Sequence, residues 1–269
     1  METQDMTDTL IYVYCLSDSM LSAAATEGTN SIKLLRAGDY WAVIKHVPAF
    51  EFSEENFKTN VSNIQWLEAN ARDHVAVIAR YMENHTVIPF RFGTIYQDEA
   101  GLAKFISDYK GSLAENFNFI RGMEEWSVKI YCNRQELGEK IDELSPEAAS
   151  LEQQIMSSSP GKAFLLGRKK TELVEHELDR LCKKFGQDFY NEFKELSKDT
   201  RLNNLLPKEF TGRTDTMILN ATFLVGIDKV SEIRETVQKI NEKDEHSGFF
   251  IEGTGPWPPF SFISIKEQQ

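Results

Sequence analysis

Glu125-Trp-Ser-Val-Lys-Ile-Tyr-Cys132 alternates cleanly, with Trp126, Val128, Ile130 and Cys132 facing one way and Ser127, Lys129 and Tyr131 the other. A period of two marks a strand with one face in a core. Upstream, the β-branched and aromatic run Ile11-Tyr-Val-Tyr-Cys15 predicts a strand, as does Tyr40 to Val47, stopped by Pro48. Ser53-Glu-Glu opens a helix: Ser53 can cap free N–H groups, and the glutamates suit the positive end of the dipole. Apolar positions from Val61 to Tyr81 fit two successive helices. Thr86 to Phe92 predicts a strand ended by Gly93, and Glu99 to Arg121 one helix. Residues 1–122 thus form one α/β unit, and the strand at Glu125 begins a second, 123–269.

In the second unit a long helix is expected over about 162–197, with the stripe Val174, Leu178, Leu181, Phe185, Phe189, Phe193 and Leu196. At 1.5 Å per residue it would span roughly 50 Å. It either projects as an arm or braces both domains. Asp215 to Val225 predicts a strand and Ser231 to Asn241 a helix. Phe249 to Ile251 and Phe260 to Ile265 are expected strands flanking Gly253-Thr-Gly-Pro-Trp-Pro-Pro259. Strands and helices interleaved in both halves give an α+β fold of two α/β sandwich domains.

The 269 residues carry 30 Lys and Arg against 42 Asp and Glu, a net charge of −12, which argues against a nucleic-acid groove. The polar, acidic start lacks the pattern of a signal peptide, and no stretch approaches the roughly 18–20 apolar residues of a membrane span. Cys15, Cys132 and Cys182 are odd in number and form no CxxC pair, so reduced thiols in a cytoplasmic protein are expected.

Motifs with their own chemistry fail on spacing. His176-Glu177 would need a second histidine at 180, where Arg180 stands. The phosphate-loop pattern ending at Gly161-Lys162 lacks its first glycine, at Met156, and its hydroxyl, at Ala163. Three prolines forbid the helix that a dinucleotide loop at Gly253-Thr-Gly255 would open. The remaining histidines, His46, His74, His85 and His246, lie in separate elements and form no local ligand set. Arg168-Lys169-Lys170 reads as a solvated helix face or a contact for an acidic partner. Arg91, between Phe90 and Phe92, is expected to be ordered by a carboxylate or carbonyls at its strand end, or else to serve a partner or anion. No catalytic, metal or cofactor site is predicted. Trp257, rigidly presented by Pro256, Pro258 and Pro259, is expected in the C-terminal core or at the domain junction.

Five stretches taken together carry a resemblance: Val87-Ile-Pro-Phe-Arg-Phe-Gly-Thr94, Glu125 to Tyr131, Phe164-Leu-Leu-Gly-Arg-Lys-Lys170, Leu219 to Val225, and Thr254-Gly-Pro-Trp-Pro-Pro-Phe-Ser-Phe262. In order and separation they resemble the gas vesicle GvpL/GvpF family over about residues 10–265, with Tyr12 and Tyr14 in agreement. Phe260 departs from a pattern that has Tyr there about as often. The resemblance implies a ferredoxin-like N-terminal domain and a modified ferredoxin-like C-terminal domain with extra long helices. It implies an accessory protein needed to build gas vesicles, located in the cytoplasm and associated with them. Its expected partners are the small hydrophobic shell protein (GvpA-like) and other accessory proteins, with no cofactor, nucleic acid or membrane. Arg91, Phe92, Gly93, Arg168 and Trp257 become the candidate partner-contact residues. The N-terminal unit is expected to carry the shell contact, because one of its apolar strands could lie at a sheet edge. A ligand-sensing ferredoxin-like module is the alternative. An enzyme acting through Arg91 and Arg168 lacks an activated base or nucleophile.

Overall fold

The computed structural model describes residues 9–21, 32–244 and 248–266. Strand β1 (Thr9–Ser17) is buried along nearly its whole length because it is a central strand with a core on each face. Ile11 and Val13 point into one core, while Leu10, Tyr12 and Tyr14 point into the other. Its register against β3 (Tyr40–Pro48) shifts between Val13 and Cys15. This bulge puts Tyr14 and Cys15 in the same core and returns Leu16 to the first, as an extra residue in a ladder must.

The sheet is antiparallel, in the order β2 (Ile32–Ala37), β3, β1, β4 (Val87–Pro89), with β5 (Ile95–Tyr96) also on β1. Gly38, at φ 63°, supplies the left-handed residue that the tight β2–β3 turn requires. Helices α1 (Ala49–Phe52), α2 (Glu54–Asn60) and α3 (Ile64–Met82) follow β3, and α3 lays Val77, Ile78 and Tyr81 on the Tyr12 face. Helices α4 (Glu99–Asp108) and α5 (Lys110–Ile120) cover the other face through Leu102, Ile106, Leu113 and Phe117.

Several local expectations change. Ser53 occupies the cap position of α2 without a side-chain cap bond, whereas Asn63 and Asp98 do cap α3 and α4. The helix expected over 99–121 is kinked at Tyr109, where ψ rises to 15°, although main-chain hydrogen bonds run through the kink. β2 was not expected.

The second unit repeats the strand order. Its sheet runs β7 (Ser197–Leu202), β8 (Thr216–Gly226), β6 (Met123–Cys132), β9 (Phe249–Trp257). In both units the first strand of the unit is central, between the third and the fourth, which is the ferredoxin-like arrangement. Between β6 and β7 lie α6 (Arg134–Glu139), α7 (Ile141–Leu144), α8 (Pro146–Met156) and α9 (Pro160–Glu195). α10 (Lys208–Thr211) interrupts the β7–β8 connection, and α11 (Val230–Asp244) links β8 to β9. The expected stripe of α9 is real. Leu178 and Phe193 are buried, and Val174, Leu181, Phe185, Phe189 and Leu196 pack on this unit's own core. Its first turns leave Phe164 and Leu165 68% and 67% exposed.

The end of the chain departs from the expected boundary at 123–269. The compact units are Met1–Glu124 with Pro256–Gln269, and Glu125–Gly255. Phe260 packs in the Tyr12 core, and Ile263 and Ile265 in the Ile11 core. β9 runs on through Pro256, tolerated because β9 is an edge strand. The strand expected over 260–265 is instead a 3-10 turn at Phe260–Phe262 followed by irregular chain.

Candidate functional site

The edge strand beside β1 is broken. After β4, Phe90 N–H still donates to the Tyr14 carbonyl (2.9 Å), and Thr94 O accepts from Val13 N–H (3.0 Å) before β5 resumes. Between those bonds Arg91, Phe92 and Gly93 bow away from the sheet. The bow is closed by the Arg91 carbonyl, which accepts from Thr94 N–H (3.1 Å) and from the Thr94 hydroxyl (2.7 Å). Gly93 has φ 82°, and a Cβ there would sit 2.4 Å from Phe57 Cζ. Both the backbone and the neighbouring ring demand glycine.

His74 of α3 anchors this loop. Its Nε2 lies 2.9 Å from the Phe90 carbonyl, and its Nδ1 lies 2.8 Å from the Tyr12 hydroxyl. A carbonyl can only accept, so Nε2 carries the proton, and in the neutral ring Nδ1 accepts from Tyr12. Gly93 N–H in turn donates to Tyr12 Oη (3.3 Å). The relay thus runs from the loop through Tyr12 and His74 back to the loop. Burial holds the His74 pKa below its ordinary value, and the Phe90 bond and the Asp73 charge oppose the shift. Burial pushes the Tyr12 and Tyr14 hydroxyls up, and Tyr14 donates to Asp73 (3.3 Å). Tyr14 and Phe260 stack on the imidazole, and Phe92 meets it edge-on.

Beside the loop opens a cleft of about 420 Å³. Leu10, Phe52, Phe57, Gly93, Ile95 and Tyr96 supply its apolar lining, and the Glu54–Lys58 ion pair (2.6 Å) also lines it.

The structure brings together Phe92 and Gly93 among the expected residues. Arg91 corrects its expectation. It is exposed at the apex of the bow, and among the described residues nothing pairs with its guanidinium. Arg168 is exposed on α9 of the second unit, where Lys170 rather than Arg168 makes the ion pairs, to Asp142 and Glu152 (2.8 Å each). Trp257 is 43% exposed and is no core residue. His74 escaped the sequence reading. The signal was its place on α3 with Val77, Ile78 and Tyr81, at the i, i+3, i+4, i+7 spacing of one buried stripe. Among the described residues no group of three or more His, Cys, Asp or Glu could hold a metal ion, and no helix is long and apolar enough to cross a membrane.

Comparison with known proteins agrees with this fold over nearly the whole chain. The family model described as gas vesicle synthesis protein GvpL/GvpF matches residues 10–264. Gas vesicle protein L of Streptomyces sp. (strain CB03234) is 27% identical over 271 residues, covering 97% of this chain and 96% of that protein. Gas vesicle protein F of Nostoc sp. (strain PCC 7120) is 27% identical over 188 residues, covering 65% and 69% of the two chains. The crystal structure of GvpF from Anabaena sp. PCC7120 shares the fold at a TM-score of 0.68 and 19% identity, covering 96% of this chain and 100% of that one. With both sandwich units and nearly every residue from β1 to the final segment inside the match, the chain belongs to the GvpL/GvpF family of gas vesicle synthesis proteins.

Proposed function

We propose that this protein acts in gas vesicle assembly by holding the apolar shell subunit, GvpA-like, in the cleft beside the broken edge strand. Family membership supports a role in gas vesicle formation. The observation that carries the finer reading is the pairing of a sheet edge with an apolar cleft at Gly93, Ile95 and Tyr96. An edge strand offers main-chain groups to an incoming extended segment, and the neighbouring pocket receives its alternate side chains. A shell subunit with an apolar face needs such cover before it is built in, and binding without catalysis suffices. The net charge of −12 keeps copies of this chain apart and suits basic segments of a partner. Action in the cytoplasm at the growing vesicle belongs to the same proposal.

The test is co-purification of the full chain with the shell protein. Ile95→Ala with Tyr96→Ala should lower capture at least about tenfold, the effect of removing roughly 1.4 kcal/mol, with folding checked by melting. Undiminished capture by this variant, together with loss on Phe164→Glu and Leu165→Glu in α9, would move the contact to the second unit. The cleft volume also suits a small ligand. That second reading predicts a thermal shift with a metabolite and none on adding shell protein.

A further inference from the structure

Two of the three cysteines meet inside the second unit. Cys132 is the last residue of β6, and Cys182 lies past the middle of α9. Both are buried in one small core with Leu137, Ile141, Ala148 and Leu178. The two thiols interact, and each is the largest influence on the other's titration. Arg134 lies two residues beyond Cys132. Its guanidinium is held by Glu175 (2.7 Å) and Asp179 (2.6 Å), and its charge favours the thiolate at both sulfurs. Cys132 is the largest influence lowering the Cys182 pKa, and Arg134 adds to it against burial. Cys182 keeps 7% exposure and Cys132 none. Cys15, in the core of the other unit, has burial alone acting on its thiol, which pushes it up.

These features separate the pair from ordinary buried thiols, which behave as small inert hydrophobes. A thiolate-prone sulfur, a cation beside it and a second sulfur in contact are the parts of an oxidisable dithiol. We propose that Cys132 and Cys182 form a redox-responsive pair that hydrogen peroxide converts into an intrachain disulfide. The Cys182 thiolate attacks one peroxide oxygen and the O–O bond breaks. The departing hydroxide takes up the proton that Cys182 gave up, leaving as water, and Cys182 becomes a sulfenic acid. The Cys132 sulfur then attacks the Cys182 sulfur and the S–O bond breaks. The second water leaves carrying the Cys132 proton. The two sulfurs give up two electrons in all, and the peroxide accepts both. Sharing one small core, the two sulfurs close to the disulfide length of about 2.05 Å. The bond staples the end of β6 to α9 and closes α6, α7 and α8 into one covalent loop. A cross-link of this kind restricts the unfolded chain.

The experiment uses the reduced, full-length protein exposed to a small excess of hydrogen peroxide. The expected result is a monomer lighter by two hydrogens per chain. Non-reducing peptide mapping should find Cys132 joined to Cys182 and Cys15 free, and dithiothreitol should reverse the change. The oxidised form should also melt higher. In Cys132→Ser the same treatment should stop at a Cys182 sulfenic acid that dimedone traps. Added oxygens without a cross-link in the wild-type chain, a cross-link between chains, one involving Cys15, or an unchanged mass would each overturn the proposal. The decisive mass is read on the unaltered chain, so it does not depend on how well the variant folds.

Discussion

The side-chain amide of Asn116 pairs with both main-chain polar groups of Ser264: Nδ2 donates to the carbonyl and Oδ1 accepts from the N–H, each at 3.0 Å. One turn earlier on α5, the Ser112 hydroxyl donates to the same carbonyl (3.3 Å) and accepts from Lys266 N–H (3.1 Å). A helix face thus satisfies an irregular segment as a neighbouring strand would. Ile263 and Ile265 pack on the core beneath. Asn116→Leu leaves the Ser264 N–H unpaired and its carbonyl with the Ser112 hydroxyl alone, and should destabilise the first unit by about 1–3 kcal/mol. Denaturant unfolding measures it, and a change below about 0.5 kcal/mol would mean that the segment merely rests on the surface. A chain stopped after Gly255 should lose more than the point variant.

Two tryptophans should respond in opposite ways. Trp126 is 5% exposed in the second core, with Arg234 4.9 Å above its ring, and a Cβ at Gly255 would come within 2.8 Å of that ring. Trp126→Ala should therefore cost about 3–5 kcal/mol. Trp257, at 43% exposure, should cost about 1 kcal/mol or less on the same change. Melting of the two variants side by side separates them, and equal losses would contradict this difference in burial.

Regular alternation and helical stripes were legible in the sequence because each reports one element meeting one core. β6 and α9 read in this way, whereas β1, with a core on each face, reads only from its β-branched and aromatic run. What stayed hidden depends on contacts distant in sequence. β2 reads Ile-Lys-Leu-Leu-Arg-Ala, buried at its two ends and partly open between them, so it shows no clean period of two. Phe260 to Ile265 has the residue types of a strand, yet its main-chain partners are side chains of α5. At the candidate site, Phe92 and Gly93 were found through their motif, whereas His74 became visible once Tyr12 and Phe90 were placed beside it. Arg91 reads from its apolar neighbours as ordered at its strand end, or else as serving a partner or anion, and it stands exposed at the apex of the bow. The rigid prolines point Trp257 to the C-terminal core or the domain junction, yet it is 43% exposed, because rigidity says nothing about direction.

Gly93→Ala should cost about 2–5 kcal/mol. Part is the left-handed backbone at φ 82°, worth roughly 1–2 kcal/mol for a residue with a Cβ. The remainder is the collision with Phe57, an overpacking of about 1–3 kcal/mol. Phe57→Ala in the same chain should relieve the collision but not the backbone term, so the two changes should couple by at least about 0.5 kcal/mol. Additive losses in a double-mutant cycle would show that the ring and the loop do not meet.

Stability should fall on mild acidification, and His74 should account for a defined share of the fall. Burial depresses its folded pKa below 6.5, while the unfolded chain titrates near 6.5. Above 6.5 both states are neutral and the full stability is present. As pH drops below 6.5, the unfolded chain takes up a proton that the folded chain resists, so stability is lost until the folded pKa is passed. The slope from one such group is at most about 1.4 kcal/mol per pH unit. Around the ring stand Tyr12 and Tyr14 of β1, the Asp73 carboxylate, the Phe90 carbonyl and the Phe260 ring. Of these, the Phe90 carbonyl and then Asp73 favour the imidazolium and so moderate the effect. His74→Gln keeps one donor for Phe90 and one acceptor for Tyr12 but cannot titrate. Unfolding free energies measured from pH 7.5 to 5 should therefore slope less in His74→Gln than in the wild type, with the difference confined to the range below 6.5. Parallel curves for the two proteins would mean that His74 takes up its proton as readily folded as unfolded, and that burial does not depress its pKa.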